Sequence, residues 1–430
     1  MTLSRPIKMD FALEPELSII SSFFADPDDI SLSSLQIPIP ILAHADDLLT
    51  ISLSPSGLQR RLTTITSWCS SQFLLINAGK SYAMAFGPLP SVLPRLLIHD
   101  VALEWKDIGR YLGALVQSSQ RDIFAPHYRT QGSKSASTGA LIGAIQNAIG
   151  PLLIQDALLL YKARVDPILT YGCEIMPDVT PSSLYELQSS QRQFIRNRLG
   201  LPANSLIAPL YTETGLWPIQ YRRLDLTLRY LMFLRELPPS RLAAIAFQDQ
   251  RLLASAGSPC WFTDLRNITK LLSPNILPFL SYEATLLRPD IHDFIQQSVT
   301  SSLSFDITSS HKLHLLRSLR FYNKNGILSD PRTSFTPSLQ PYMLVARSSH
   351  RDALIRLLFS AHHYATETLR HRNRRRPPIP YNQRLCRFCA LAIEDESHAL
   401  LVCKGDSELM LLRSHFLTKI RQICSPQTIR

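Results

Sequence analysis

The period of the apolar residues changes part-way along the chain, and that change limits the fold more than any other feature. From Ile37 to about Val116, short apolar runs alternate with turns and one helical stretch. From about Ser118 the apolar positions recur every three or four residues. The first pattern suits strands and the second suits helices. An α+β chain is expected, with a small antiparallel sheet near its start and mostly helical structure after it. At 430 residues and 45% hydrophobic content, the chain can form several folding units. Four segments are expected, 1–117, 118–205, 206–345 and 346–430.

In the first segment, IPIPILAHADDLLTISL offers a strand on each side of a tight Ala-Asp-Asp turn. A helix comes next, capped by Ser54 or Ser56, with Leu58, Leu62, Ile65 and Trp68 at helical spacing. KSYAMAFG, LLIHDVALEW and IGRYLGALV read as further strands. TGALIGAIQNAIG, LIQDALLLYKARVDPIL and SSLYELQSSQRQFIRNRLG then read as helices, stopped by Gly200 and Pro202. From Leu201 to about Val345, the Pro- and Ser-rich joints LPPS, SAGSP and SFTPSLQP predict a loosely built connecting region. The last segment opens with a single helix, RDALIRLLFSAHHYATETLRHR, and continues into the basic joint NRRRPPIP and a cysteine cluster.

The chain carries 45 Lys plus Arg against 34 Asp plus Glu, a net charge of +11, which favours polyanionic partners, nucleic acid first among them. The first residues lack a secretory apolar core, and no stretch runs eighteen apolar residues without interruption. The expectation is an intracellular protein with no membrane segment. Of the seven cysteines, Cys69, Cys173, Cys260 and Cys424 stand singly, which fits buried thiols better than a disulfide framework.

Asp46 and Asp47 place two carboxylates at the tip of a hairpin, as chemistry using Mg²⁺ requires, because hard oxygen ligands hold that ion best. Taken alone, a polar pair in a turn is ordinary turn chemistry. The segments on its C-terminal side add weight: LLINAGKSYAMAFG with Asn77 and Lys80, then IGRYLGALV with Tyr111, Leu112 and Gly113. This succession resembles the last palm motifs of reverse transcriptases from non-LTR, LINE-like retrotransposons: the A-D-D hairpin, the Asn-x-x-Lys strand and the Tyr-Leu-Gly primer grip. FALEPEL resembles the helix leading towards that hairpin.

The resemblance implies that Asp46 binds metal, that Asp47 lies beside the primer terminus, that Lys80 faces the nucleotide phosphates, and that Tyr111 to Gly113 hold the primer end. On their own, Lys80 also fits a solvated charge and the Tyr-Leu-Gly run fits simple sheet packing. His44 stands where the family usually has Tyr or Phe. The family's first catalytic Asp strand and its template-gripping motif are not found; Asp10, Asp26, Asp28 and Asp29 lie in the wrong contexts. Since two-metal catalysis needs a shared third carboxylate, the chain by itself is expected not to polymerise.

SSLYELQSSQRQFIRNRLG presents Arg192, Arg196 and Arg198. By the resemblance it would be a thumb helix contacting template-primer phosphates; by its own pattern it is equally an amphipathic helix with a solvated basic face. In LYTETGLWPIQYRRLDLTLRYLMFL, the rings of Trp217, Tyr221 and Tyr230 read as core.

Near the end, Cys386, Cys389, His398 and Cys403 have the spacing C-x2-C-x8-H-x4-C. Two thiolates on one turn, with a His and a Cys from a following helix, suit a structural Zn²⁺. The cluster resembles the Cys-Cys-His-Cys element near the end of non-LTR reverse transcriptases, preceded by a helix with His, Glu and Arg, here His362 or His363, Glu367 and Arg370. Its longer middle gap sets it apart from the retroviral zinc knuckle. Just before it, Arg370, His371, Arg372, Arg374, Arg375 and Arg376 form the densest charge run, a phosphate-binding arm, a nuclear address or a solvated linker. The resemblance implies a fragment of an RNA-directed DNA polymerase that uses dNTPs, an RNA template and a DNA primer or target in the nucleus. The alternative is a non-catalytic nucleic-acid-binding remnant with a structural zinc tail.

Overall fold

The computed structural model describes residues 31–32, 37–38, 41–150, 152–270, 272, 288–319, 335–371 and 377–423. In chain order its elements are β1 (Ser31–Leu32), β2 (Ile37–Pro38), β3 (Ile41–His44), β4 (Asp47–Thr50), α1 (Pro55–Ser71), β5 (Tyr82–Ala83), β6 (Leu97–Ile98), β7 (Val101–Ala102), β8 (Glu104–Trp105), β9 (Ile108–Tyr111) and β10 (Ala114–Gln117). Helices come next: α2 (Ala125–Ile149), α3 (Ile154–Leu160), a π-turn (Tyr161–Val165), α4 (Asp166–Thr170), α5 (Pro181–Leu199), α6 (Ala208–Thr212), α7 (Ile219–Glu236), α8 (Leu242–Ser255) and α9 (Trp261–Thr269). The last are α10 (Arg288–Ser309), α11 (His314–Leu319), α12 (Ser348–Leu358), α13 (Ala365–Thr368) and α14 (Ser407–Ile423). The chain is α+β and mostly helical. It forms two compact units, one from Met1–Thr130, Gly172–Leu184 and Leu226–Lys270, the other from Gln131–Tyr171, Tyr185–Asp225 and Leu271–Arg430.

In the first unit the expected antiparallel sheet is instead a set of separate two-stranded pairs, and one of them, β5 with β8, is parallel. Side chains occupy edges where further strands would pair. Gln59 on α1 accepts from the Leu97 N–H at 2.8 Å and donates to the Leu97 carbonyl at 3.0 Å, closing β6. The Tyr82 hydroxyl does the same at β9, accepting from Arg110 N at 2.6 Å and donating to Arg110 O at 2.8 Å. An edge satisfied in this way offers no ladder to a third strand.

Helix α1 starts as its sequence predicts, with the Ser54 hydroxyl accepting from Gly57 N at 3.0 Å and Pro55 in the first turn. Its inner face differs from the expected one: Leu62, Ile65, Cys69 and Arg61 are buried, and Trp68 is 41% exposed. Leu62 packs with Ala83, Leu96, Ile98 and Leu103, while Ile65 and Cys69 meet Ile41 and Ile76. Arg61 donates to the Thr50 hydroxyl at 3.3 Å and to the Ile51 carbonyl, which ties the helix to the end of β4.

In the second unit, α2 and α5 run parallel and close. Gly132, Ser135, Gly139 and Gly143 face Glu186, Ser190, Phe194 and Arg198 in register; a Cβ at Gly139 would lie 3.1 Å from the Phe194 ring, and the two serine hydroxyls meet at 2.6 Å. Small residues permit this approach. Gln191, 1% exposed, joins the surrounding segments. Its amide nitrogen donates to the Tyr161 hydroxyl (2.9 Å) and the Trp217 carbonyl (3.0 Å), and its oxygen accepts from Ile219 N (2.8 Å) and the Tyr211 hydroxyl (3.1 Å).

The stretch after Leu201, expected to be loose, contains the most deeply buried run of the unit. Leu210, Thr212 and Glu213 are fully buried, and Glu213 accepts from the Tyr342 hydroxyl at 2.7 Å. Helix α10 buries Ile291, Ile295, Val299, Leu303 and Ile307, one residue per turn. The single helix expected from Arg351 to Arg372 is also corrected. Helix α12 stops at Leu358, Ser360 adopts φ 53°, and the one-turn α13 comes after it. A non-glycine residue in the left-handed region ends a helix because the next turn cannot continue it.

Replacing Gln191 by Leu would strand the Ile219 N–H and Trp217 carbonyl without partners. At roughly 1–3 kcal/mol for each buried unsatisfied group, stability should fall by about 3 kcal/mol. Urea unfolding followed by circular dichroism checks this; a change under about 0.5 kcal/mol, the range usual for surface substitutions, would show that the carboxamide is not the joint described.

Candidate metal centre and carboxylate hairpin

The four side chains Cys386, Cys389, His398 and Cys403 converge, with all ligand atoms within 4.8 Å of one another. Cys386 Sγ lies 3.6 Å from Cys403 Sγ, and Cys389 Sγ lies 3.3 Å from His398 Nε2. Tetrahedral zinc with Zn–S of about 2.3 Å and Zn–N of about 2.0 Å would set these edges near ~3.8 and ~3.5 Å, so the donor set fits the ion.

Local backbone explains the convergence. The Ala390 N–H donates to Cys386 O at 2.8 Å and Ala390 takes φ 54°, folding the first two ligands onto one turn; Cys386 N bonds Ala392 O at 2.7 Å, beside a bridge between Leu385 and Ile393. The other pair sits on a π-turn, His398–Val402, with Cys403 N donating to His398 O at 2.8 Å. In an α-helix, residues five apart point in different directions. The wider π-turn brings them to one side. Asp395 caps this turn, accepting from His398 N at 2.7 Å. Gly405 packs so tightly that a Cβ there would sit 2.6 Å from the Phe388 backbone, and its N–H reaches Cys403 Sγ at 3.4 Å. The N–H of Leu391 above all, with those of Ala392 and the His398 ring, pulls the Cys389 thiol down to about 6, which favours the thiolate that a metal needs.

Around the centre lies a shell of charge that the spacing of ligands did not disclose. Buried Glu394 accepts from Arg387 Nε at 2.6 Å and from Ala365 N at 2.7 Å. Buried Glu396 meets His362 Nε2 at 2.7 Å and His314 Nε2 at 3.8 Å. Burial opposes the charge of Glu396, yet the His362 hydrogen bond, with the nearby His362 and His314 charges, holds its carboxyl below the usual glutamate range. Glu367 pairs with Lys312 at 2.6 Å and Arg370 at 3.7 Å, and burial pushes its carboxyl up. The sequence signals for these partners were the acidic run between the second and third ligands and the His, Glu and Arg of the preceding helix, here His362, Glu367 and Arg370.

The hairpin of the first unit has its two-residue turn at Ala45 and Asp46, with Ala45 at φ 53°. Asp47 is already the first residue of β4, opposite His44. Both carboxylates are exposed. Among the described residues, no third acidic or histidine side chain joins them in a metal-sized group. Asn77 and Lys80 form a short 3₁₀ turn rather than a strand, with Asn77 Oδ1 accepting from Lys80 N at 3.2 Å, and Lys80 is exposed. Tyr111 ends β9, and the Leu112-Gly113 turn has φ 46° and 80°, the two positive values a tight primed hairpin turn requires. Glycine suits the second of these. Burial raises the Tyr111 phenol, and the charge of Asp47 raises it further.

The three α5 arginines are half-buried and engaged within the unit. Arg192 donates to Gln188 Oε1 at 2.9 Å, Arg196 holds the Ser205 hydroxyl and carbonyl at 3.0 and 2.7 Å, and Arg198 lies over the Phe194 ring at 5.8 Å. Arg372, Arg374, Arg375 and Arg376 lie outside the described residues, as do FALEPEL, Asp10, Asp26, Asp28, Asp29 and Cys424. No helix among the described residues is long and apolar enough to cross a membrane.

Gly405→Ala should weaken zinc binding about 10- to 100-fold, the usual cost of disturbing a supporting shell, because the new Cβ collides with the Phe388 backbone. Competition with a chromogenic chelator measures it; unchanged affinity would mean that the contact does not support the centre.

No family model matches the sequence. Over 198 residues the chain is 23% identical to the "Probable RNA-directed DNA polymerase from transposon BS" of Drosophila melanogaster, a match covering 44% of this chain and 22% of that protein. The chain thus spans about a fifth of the curated relative it matches, and over less than half its own length it is related to a reverse transcriptase of transposon origin.

Proposed function

We propose that the chain is a fragment of a non-LTR retrotransposon reverse transcriptase that binds template and primer and is incomplete at its catalytic centre. The observation that supports this reading is that the carboxylate hairpin and the Tyr-Leu-Gly hairpin follow each other along the chain, each with a two-residue turn at the motif. Similarity to a transposon polymerase supports it. Residues 1–117 would form a partial palm, 118–205 a thumb, 206–345 a connection and 346–430 the zinc-bearing tail, with RNA template and DNA primer or target as partners in the nucleus.

Mg²⁺, when bound, would supply Lewis-acid chemistry for nucleotidyl transfer, neutralising phosphate charge and activating a hydroxyl. Asp46 at the turn would be its ligand, with Asp47 beside the primer terminus. Exposed Lys80 is free to swing towards phosphate oxygens. The Tyr111 to Gly113 turn, held from outside by Tyr82, would position the primer end. Arg192, Arg196 and Arg198, together with Arg372, Arg374, Arg375 and Arg376, would follow nucleic-acid phosphates. Zn²⁺ would be structural, held by Cys386, Cys389, His398 and Cys403.

A second reading is favoured by the exposed Asp46 and Asp47 having no third carboxylate among the described residues: a nucleic-acid-binding remnant without chemistry. Two measurements test these readings. Primer extension on an RNA template with Mg²⁺ should give no product above the Asp46→Ala background; product that Asp46→Ala abolishes would show that the centre is complete. RNA and DNA binding should weaken steeply with salt, and replacing Arg374, Arg375 and Arg376 by Gln should lower the log-log slope by roughly 0.7–0.9 per lost phosphate contact. Absence of binding at low salt would remove both readings.

A further inference from the structure

The gap of eight residues between Cys389 and His398 holds three adjacent acidic residues, and each has a different address. Asp395 caps the π-turn that carries His398. Glu396 reaches His362 and His314. Glu394, 1% exposed, takes Arg387 through both oxygens at 2.6 and 3.2 Å and also receives the Ala365 N–H at 2.7 Å. Its backbone is engaged as well, with its N–H donating to Arg384 O at 2.9 Å and its carbonyl accepting from Thr366 N at 3.3 Å.

Arg387 lies between the ligands Cys386 and Cys389, so the turn that the metal fastens also aims its guanidinium. That guanidinium additionally donates to the His363 carbonyl. Leaving a side chain as buried as Glu394 without its Arg387 partner is costly, so the place of Glu394 in the fold depends on that guanidinium. A physical chain therefore runs from the four ligands through Arg387 and Glu394 to Ala365, and from α13 through Glu367 to Lys312.

We propose that Glu394 and Arg387 are a latch by which metal occupancy of the centre governs docking of the tail element on residues 361–370. The inference rests on the metal reading of the four ligands. With the metal bound, the Cys386–Cys389 turn is fixed, Arg387 holds Glu394, and Glu394 holds the start of α13. Without it, Arg387 loses its aim, Glu394 takes up water, and the Ala365 and Thr366 amides open. Linkage makes the coupling reciprocal, so loosening the latch lowers metal affinity by the factor by which metal removal loosens the latch.

The test is amide hydrogen exchange on the full chain with zinc content measured in the same sample. Chelation should speed exchange at Ala365 to Leu369 by about tenfold or more, while the Ile219 amide held by Gln191 keeps its protection. Glu394→Gln should still bind zinc, more weakly by a similar factor, and show fast exchange at Ala365 whether or not zinc is present. If that variant does not fold, Arg387→Ala reads the same latch from its other partner. Unchanged exchange on removing zinc that was bound would overturn the proposal. So would a Glu394→Gln protein with wild-type protection and wild-type response to chelation. Purified protein without zinc, and unable to take it up, would instead overturn the metal reading, and the latch with it.

Discussion

A carboxamide that water does not reach has to find a partner for each of its polar atoms, and where Gln191 finds them decides how four segments of the second unit meet. Its two N–H bonds and two lone pairs go to the π-turn, to α6 and to the entry of α7. Because each missing bond would leave a buried group unpaired, no neighbouring arrangement of these segments is nearly as good. The close parallel contact of α2 with α5 results from the same placement, since α5 carries both Gln191 and the residues that face the glycines of α2. Apolar burial supplies most of the stabilisation here, and the carboxamide supplies the register.

The parts legible in the sequence were those fixed by near neighbours in the chain. The Ser54 cap, the 3.6-residue pattern of α5 and the C-x2-C turn all depend on contacts within a few positions, and the structure has each of them. What was not legible depends on partners far along the chain. Nothing in the local pattern of α1 says that Arg61 turns inward while Trp68 stays 41% exposed; Arg61 is held there by the Thr50 hydroxyl and the Ile51 carbonyl. Likewise the Pro- and Ser-rich joints LPPS, SAGSP and SFTPSLQP suggested looseness, whereas Glu213 in the same stretch is buried and accepts from Tyr342, 129 positions away.

The strand pairs of the first unit illustrate how a helix and a phenol can end a sheet. Gln59 and Tyr82 each present a donor and an acceptor to one residue of an edge strand, which imitates one rung of a ladder without offering the next. The sequence showed strands and could not show that their edges were already taken. One consequence is that specific side chains hold these strands, Arg61 at the end of β4 remote from the Asp46–Asp47 turn and Tyr82 at Arg110 of β9.

Counting charge in a sequence and locating it in a fold give different pictures of how this chain would meet a polyanion. Arg192, Arg196 and Arg198 donate to Gln188, Ser205 and the Phe194 face, and Arg387 is committed to Glu394. An arginine that bonds inward keeps its positive charge, which attracts phosphate over about a Debye length of ~8–10 Å, but it has fewer N–H groups left for direct contact. Such residues contribute field more than grip. Where the chain pairs its cations with buried carboxylates, as around the metal centre, even the field is cancelled and the charge works for the fold. The net charge of +11 therefore does not fix what a nucleic acid would feel; the placement of each guanidinium decides how much positive charge becomes contact.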